Sequence, residues 1–256
     1  MATTARSLRS RPLPGTPESE LVRDYVWELP VRISHWLIFF AVAVLAFTGY
    51  YMHRPFLAIS GDETFTMAKM RFYHIIAGFV FSMAFVLRIY WMFGGNRCAR
   101  WSAFIPFRKR QWSGIGHMVK YYTFLEWSPT HQVGHNALAA ATYTLLFGVM
   151  FIQIITGFVL LNQVFDSGLL HFLFGWIGGL IDIQYLRLMH FSVMWIFFVF
   201  VIHHVYSAVL VSTEEKNALM ESIFTGYKFV PRWDLTDDEA PCPDPSRRHP
   251  VPPESS

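Results

Sequence analysis

The sequence predicts an all-α membrane protein, a bundle of four transmembrane helices with both chain termini in the cytoplasm. Three observations predict it. Of 256 residues, 53% are hydrophobic and 15% charged, where an ordinary soluble domain carries about 25% charged residues. The apolar residues gather in four long runs almost free of charge. Lys and Arg, 21 in all, cluster on one side of those runs. So much apolar surface exceeds what a single soluble core of this length hides, which excludes an ordinary soluble enzyme. The same hydrophobicity excludes disorder outside the Pro- and Ser-containing ends, residues 1–20 and 231–256. A net charge of +3 gives no electrostatic footprint for nucleic acid.

Residues 1–30 contain no apolar stretch of the kind a cleaved signal needs, so they read as a cytoplasmic N-terminal segment and the first apolar run as a retained helix. A hydrocarbon core of about 30 Å takes about 20 apolar residues in a helix rising 1.5 Å per residue. Residues 33–52 supply the first span and 72–93 the second, the latter interrupted by Arg88. Residues 137–161 and 188–212 supply the third and fourth, with no Asp, Glu, Lys or Arg in either. The stretch 169–181 is about half a span and is cut by Gly175, Gly178 and Gly179, so it reads as an interfacial or re-entrant segment. Residues 213–256 form a second cytoplasmic tail.

Charge sets the direction. Arg6, Arg9, Arg11, Arg23 and Arg32 precede the first span, and Arg88, Arg97, Arg100, Arg108, Lys109, Arg110 and Lys120 end the second or follow it. Lys216, Lys228, Arg232, Arg247 and Arg248 follow the fourth, leaving Arg54, Lys69, Arg71 and Arg187 for the opposite face. The positive-inside rule then places both termini and the central loop in the cytoplasm.

Cys98 and Cys242 belong to no C-x-x-C or C-x-x-C-H pattern, so iron–sulfur, structural zinc and covalent haem attachment lack their usual ligands. Any metal must be held mainly by histidine. Of the histidines in and beside the spans, where a polar side chain is costly and reads first as functional, four are of interest: His35, His74, His190 and His204. His35 lies in the first turn of a helix entering from the cytoplasm, His74 in the first turn of one entering from outside. The fourth span carries His190 near its outer start and His204 fourteen residues on, a rise of about 21 Å and a rotation of about 1400°, close to whole turns. These two therefore share one face at two depths, while His203 lies about 140° from His190. Two depth-matched pairs result, His74 with His190 and His35 with His204. Paired neutral imidazoles from different helices are what a six-coordinate b-type haem needs, so the bundle, residues 31–212, reads as a dihaem domain. Gly49, Gly78, Gly148 and Gly157 are small positions where room for porphyrin could arise. Interhelical hydrogen bonding is the plain alternative for any single histidine. A zinc or proton-relay site would gather carboxylates at one level, and the spans contain none.

The run Val26-Trp27-Glu28-Leu29-Pro30-Val31-Arg32-Ile33-Ser34-His35-Trp36 resembles the opening of the cytochrome b subunits of membrane-bound nickel-iron uptake hydrogenases. So do Arg71-Phe72-Tyr73-His74 with Ala77-Gly78, Leu87-Arg88-Ile89-Tyr90-Trp91 with Gly95-Asn96-Arg97, Gly134-His135-Asn136, His204-Val205-Tyr206 and Gly226-Tyr227. The resemblance covers residues 22–230. It implies four spans, two haems b with axial ligands on His35, His74, His190 and His204, an outward-facing partner of iron-sulfur small and nickel-iron large hydrogenase subunits, and electron delivery to quinone from the inner membrane. Ser34 stands where many relatives carry an aromatic residue, and His203 where a small one is common; His203 would either tune the inner haem or fill space, and filling space is the preferred reading. The gamma subunit of a formate dehydrogenase and a stand-alone quinol-oxidising cytochrome b are the alternatives that mechanism alone leaves open.

Haem propionates favour arginine at membrane edges. Arg32 and Arg88 are candidates inside and Arg71 and Arg187 outside, positions where topology alone also places flanking charge. His135 and Asn136, entering the third span at the inner haem's depth, are candidate quinone donors; Asn136 would equally serve as a helix cap. Trp36, Tyr50, Tyr51, Tyr90, Trp91 and Trp176 read as interface-belt aromatics, and the methionines of the spans as packing. The outer loops, 53–71 and 162–187, carry Asp62, Glu63, Asp166 and Asp182 as candidate docking contacts.

Overall fold

The computed structural model describes residues 21–56, 63–105, 114–117, 119–120, 123, 125, 137–165, 167–215 and 218–231. Strand β1 (Leu21–Tyr25) leads into helix α1 (Leu29–His53), followed by α2 (Glu63–Gly94), α3 (Ala137–Asn162), a short apolar helix α4 (Gly168–Leu180), α5 (Ile183–Glu215), α6 (Leu219–Thr225) and strand β2 (Tyr227–Pro231). Among the described residues four helices are long and apolar enough to cross a membrane: α1, α2, α3 and α5.

Each apolar run lies inside a longer helix. α2 starts at Glu63 and α5 at Ile183, well before the apolar stretches at 72 and 188, because leaving the hydrocarbon does not end a helix whose residues are good helix formers, as Glu63, Met67, Ala68, Lys69 and Met70 are. Much of the stretch read as an outer loop, 53–71, is therefore helical. Pro30 sits in the first turn of α1, where its missing N–H costs nothing. Asp182 begins α5 by accepting the Gln184 N–H on Oδ1 at 2.8 Å. Residues 171–175 of α4 form one wide π-helical turn.

α1 packs chiefly on α2, and α3 on α5. Where all four meet, Ala41, Phe81, Phe85, Met150, Val193 and Phe197 form the central core. Outward, Phe93, Leu145, Val199 and Ile202 are largely exposed, the expected pattern when lipid rather than water surrounds the bundle.

A second core closes one end. β1 and β2 pair antiparallel, from Leu21 opposite Pro231 to Tyr25 opposite Tyr227. The register sets Asp24 across from Lys228, both buried, an opposite-charge cross-strand pair. An isolated two-stranded ribbon is marginal in water; this one is seated on Val22, Val26, Trp27, Val31, Cys98 and Ala99, with Trp91 against them. Gly226 makes the turn into β2 at φ +88°, and a Cβ there would stand 2.5 Å from the Tyr25 ring and 2.8 Å from the Trp27 carbonyl. The two strands, which the sequence places in separate terminal segments, thus form one structure, the ribbon end of the bundle.

Candidate histidine pairs

α5 carries two histidines on one face, and each meets an imidazole from a neighbouring helix. His190 faces His74 of α2 with ring centres 6.3 Å apart and planes at 68°. His204 faces His35 of α1 at the same 6.3 Å, with planes at 54°. The His35/His204 pair lies towards the ribbon end and the His74/His190 pair towards the far end, about 21 Å along α5 by helical rise. His203 is exposed on another face, with Nε2 3.4 Å from Ser207 Oγ.

The spacing fits a shared metal. With a metal–imidazole bond of about 2.0 Å and the ring nitrogen about 1.1 Å from the ring centre, two imidazoles on opposite sides of one metal have centres about 6.2 Å apart. Among the described residues no group of three or more His, Cys, Asp or Glu converges on a point, so the donors come in twos, as haem requires and tetrahedral zinc does not.

The far-end pair has supports that the sequence reading did not single out. Thr48 Oγ1 lies 2.9 Å from His74 Nδ1 and Thr156 Oγ1 lies 2.8 Å from His190 Nδ1. Each threonine is followed by a glycine that leaves room for the same ring: a Cβ on Gly49 would stand 3.2 Å from His74 Cε1, and one on Gly157 3.3 Å from His190 Cε1. By contrast a Cβ on Gly78 would meet its nearest neighbour only at 4.0 Å, and one on Gly148 would meet nothing within that distance. The sequence carries a hydrophobic-Thr-Gly-aromatic run at both places, Phe47-Thr48-Gly49-Tyr50 in α1 and Ile155-Thr156-Gly157-Phe158 in α3. The same run recurs at Phe224-Thr225-Gly226-Tyr227, where it makes the turn into β2, so the pattern alone does not mark a histidine support. Gln153, an intramembrane amide one turn earlier on α3, donates to the His190 carbonyl at 3.1 Å and comes within 3.4 Å of His190 Nε2.

At the ribbon end, Tyr143 places its hydroxyl 3.2 Å from His204 Nδ1, and Phe200 stacks on the His204 ring at 5.3 Å. His35 Nδ1 is buried with no hydrogen-bond partner among the described residues.

The arginines divide by environment. Arg71 and Arg187 are exposed at the far end. Arg32 donates through Nη1 to the Phe224 carbonyl. Arg88 is buried, donates to the Ala99 carbonyl at 3.3 Å and lies over the Phe104 ring at 5.1 Å. His135, Asn136, Asp62 and Asp166 lie outside the described residues, as does the side chain of Glu63.

Two aromatics differ from the belt reading. Tyr51 is buried, and Trp91 turns inward to donate its indole N–H to Glu28 Oε2 at 2.8 Å. The same carboxylate oxygen accepts the Asn96 backbone N–H at 2.8 Å, and Asn96 returns its side-chain N–H to the Val26 carbonyl at 2.8 Å. Several motif residues at 26–31, 95–97 and 226–227 thus join the ribbon to the bundle.

Residues 26–226 match the family model of the prokaryotic cytochrome b561. Among curated relatives, a probable Ni/Fe-hydrogenase B-type cytochrome subunit of Rhodobacter capsulatus is 37% identical over 212 residues, covering 80% of each chain. A probable Ni/Fe-hydrogenase 1 B-type cytochrome subunit of Escherichia coli K12 is 35% identical, covering 81% of this chain and 92% of its own length. One from Cupriavidus necator is 31% identical, covering 89% of this chain and 98% of its own.

Proposed function

The chain belongs to the prokaryotic cytochrome b561 family and is a multi-pass membrane protein, and from that premise we propose that it is the dihaem cytochrome b subunit of a nickel-iron hydrogenase. In this reading it anchors the iron-sulfur small and nickel-iron large subunits at the inner membrane and carries electrons from the small subunit to the quinone pool. The names of the relatives support the hydrogenase partner. Hydrogen chemistry belongs to that partner.

The observation that carries the haem reading is the pair of matched imidazole spacings, 6.3 Å at each end of one face of α5. His74 and His190 would hold one haem b and His35 and His204 the other. Bound there, haem b supplies a one-electron carrier at each level. Charge bias in the loops sets the ribbon end, with both termini, in the cytoplasm and the far end outside. The exposed Arg71 and Arg187 are positioned for outer propionates; Arg32 and Arg88 are the inner candidates. At the inner level His135 and Asn136 are the candidate hydrogen-bond donors to a quinone carbonyl, and the apolar surface of the helices gives that substrate access from the lipid. The far-end segments 53–71 and 162–187 form the docking side for the partner, with Asp182 limited by its capping of α5.

The test is a reduced-minus-oxidised spectrum with pyridine haemochrome quantitation on the purified chain, repeated for His190→Ala and His204→Ala. Two haems b per chain, with one lost or altered in each variant, is the expected result. Absence of haem, or spectra indifferent to both changes, rules the reading out.

A further inference from the structure

We infer that Thr48 and Thr156 are positioning residues that fix the tautomer of the outer histidine pair and hold the reduction potential of its haem below the value it would otherwise have. The inference rests on the haem reading above. Both threonines are buried, and both spend their hydroxyl proton within their own helix: Thr48 donates to the Val44 carbonyl at 2.7 Å, Thr156 to the Ile152 carbonyl at 2.9 Å. A hydroxyl has one proton. With that proton on the helix carbonyl, each oxygen accepts from histidine, which puts the hydrogen on His74 Nδ1 and His190 Nδ1, at 2.9 and 2.8 Å. Nε2 is left with its lone pair on both rings, the form a metal ligand requires.

An imidazole that donates from Nδ1 is a more basic ligand through Nε2, and a more basic ligand favours ferric over ferrous iron. The outer pair has this support on both sides, delivered by the same Thr-Gly device from α1 and from α3. The inner pair does not: His204 Nδ1 has the Tyr143 hydroxyl at a longer 3.2 Å, and His35 Nδ1 has no hydrogen-bond partner among the described residues. The asymmetry lowers the outer potential relative to the inner one, which biases electrons arriving outside to move inwards.

The test compares Thr48→Val and Thr156→Val, which keep the side-chain shape and remove the oxygen, with Thr48→Ser and Thr156→Ser, which keep the oxygen. The full chain purified with its haems is titrated potentiometrically and examined by low-temperature electron paramagnetic resonance, His190→Ala identifying which step and signal are the outer haem's. The expected result is an upward shift of the outer midpoint in each Val variant, an unchanged inner midpoint, and return of the outer one in the Ser variants. Loss of the outer haem with Val and its retention with Ser supports the same role. Unchanged midpoints with both haems present, or loss of the outer haem with Val and Ser alike, overturns it. A wild-type chain without haem would instead refute the haem reading itself.

Discussion

Trp27 donates its indole N–H to Ser222 Oγ at 3.0 Å, tying the segment before the first membrane helix to the short helix after the last. Both residues are buried, Ser222 completely. Ser222 also donates to the Leu219 carbonyl at 2.5 Å, so its oxygen accepts from Trp27. Ser222→Ala would remove the oxygen that accepts from this buried indole N–H, at about 1–3 kcal/mol. The expected outcome is earlier thermal unfolding by far-ultraviolet circular dichroism in detergent, whereas Thr213→Ala, at an exposed hydroxyl, should leave the transition in place.

Glu28 is the hub of the same end. Its Oε2 accepts from both Trp91 Nε1 and the Asn96 N–H. Glu28→Ala would strand two donors and cost about 2–4 kcal/mol, while Glu28→Gln keeps an acceptor oxygen and should recover at least half of the loss. Equal destabilisation by the two substitutions would show that charge, rather than acceptance, matters there.

Four small positions invite a comparison of spectra. Gly49→Ala and Gly157→Ala would press on the His74 and His190 rings from 3.2 and 3.3 Å, tighter than ordinary van der Waals contact, so each should alter the outer haem signal alone. Gly78→Ala and Gly148→Ala have space for the added methyl group and should leave both signals unchanged. Identical spectra across all four would mean that the helices yield more readily than this geometry implies.

His203 adjoins His204 in sequence but is exposed and faces away from the pair. His203→Ala is expected to retain both haems with unaltered spectra and to change stability by no more than about 0.5 kcal/mol. Loss of one haem in that variant, with His204→Ala harmless, would reverse the assignment that helical phase gives.

The four helices and the pairing of the histidines were legible because both depend on local periodicity: apolar runs measure the bilayer, and fourteen residues return α5 to nearly the same face. The helix starts at Glu63 and Ile183 were not legible, since hydropathy marks where lipid ends and not where a helix does. The β1–β2 pairing was hidden for another reason. Its partners are separated by most of the chain, and neither strand has an alternating pattern long enough to announce itself. The roles of Thr48 and Thr156 escaped notice because a threonine in a span ordinarily satisfies itself on its own helix; both do so here, and only the placement of a histidine within 3 Å gives the remaining lone pair a function.

The ribbon also sets an order of assembly. Tyr25 cannot meet Tyr227 until about 200 further residues have been made, on the order of 10–40 s of translation at about 5–20 residues per second. During that interval the membrane helices are already being laid down while one strand edge waits without its mate. A segment made only after every span is therefore the one that shuts the bundle, and a chain cut short before Tyr227 would keep every span and all four paired histidines yet lose the clasp over them.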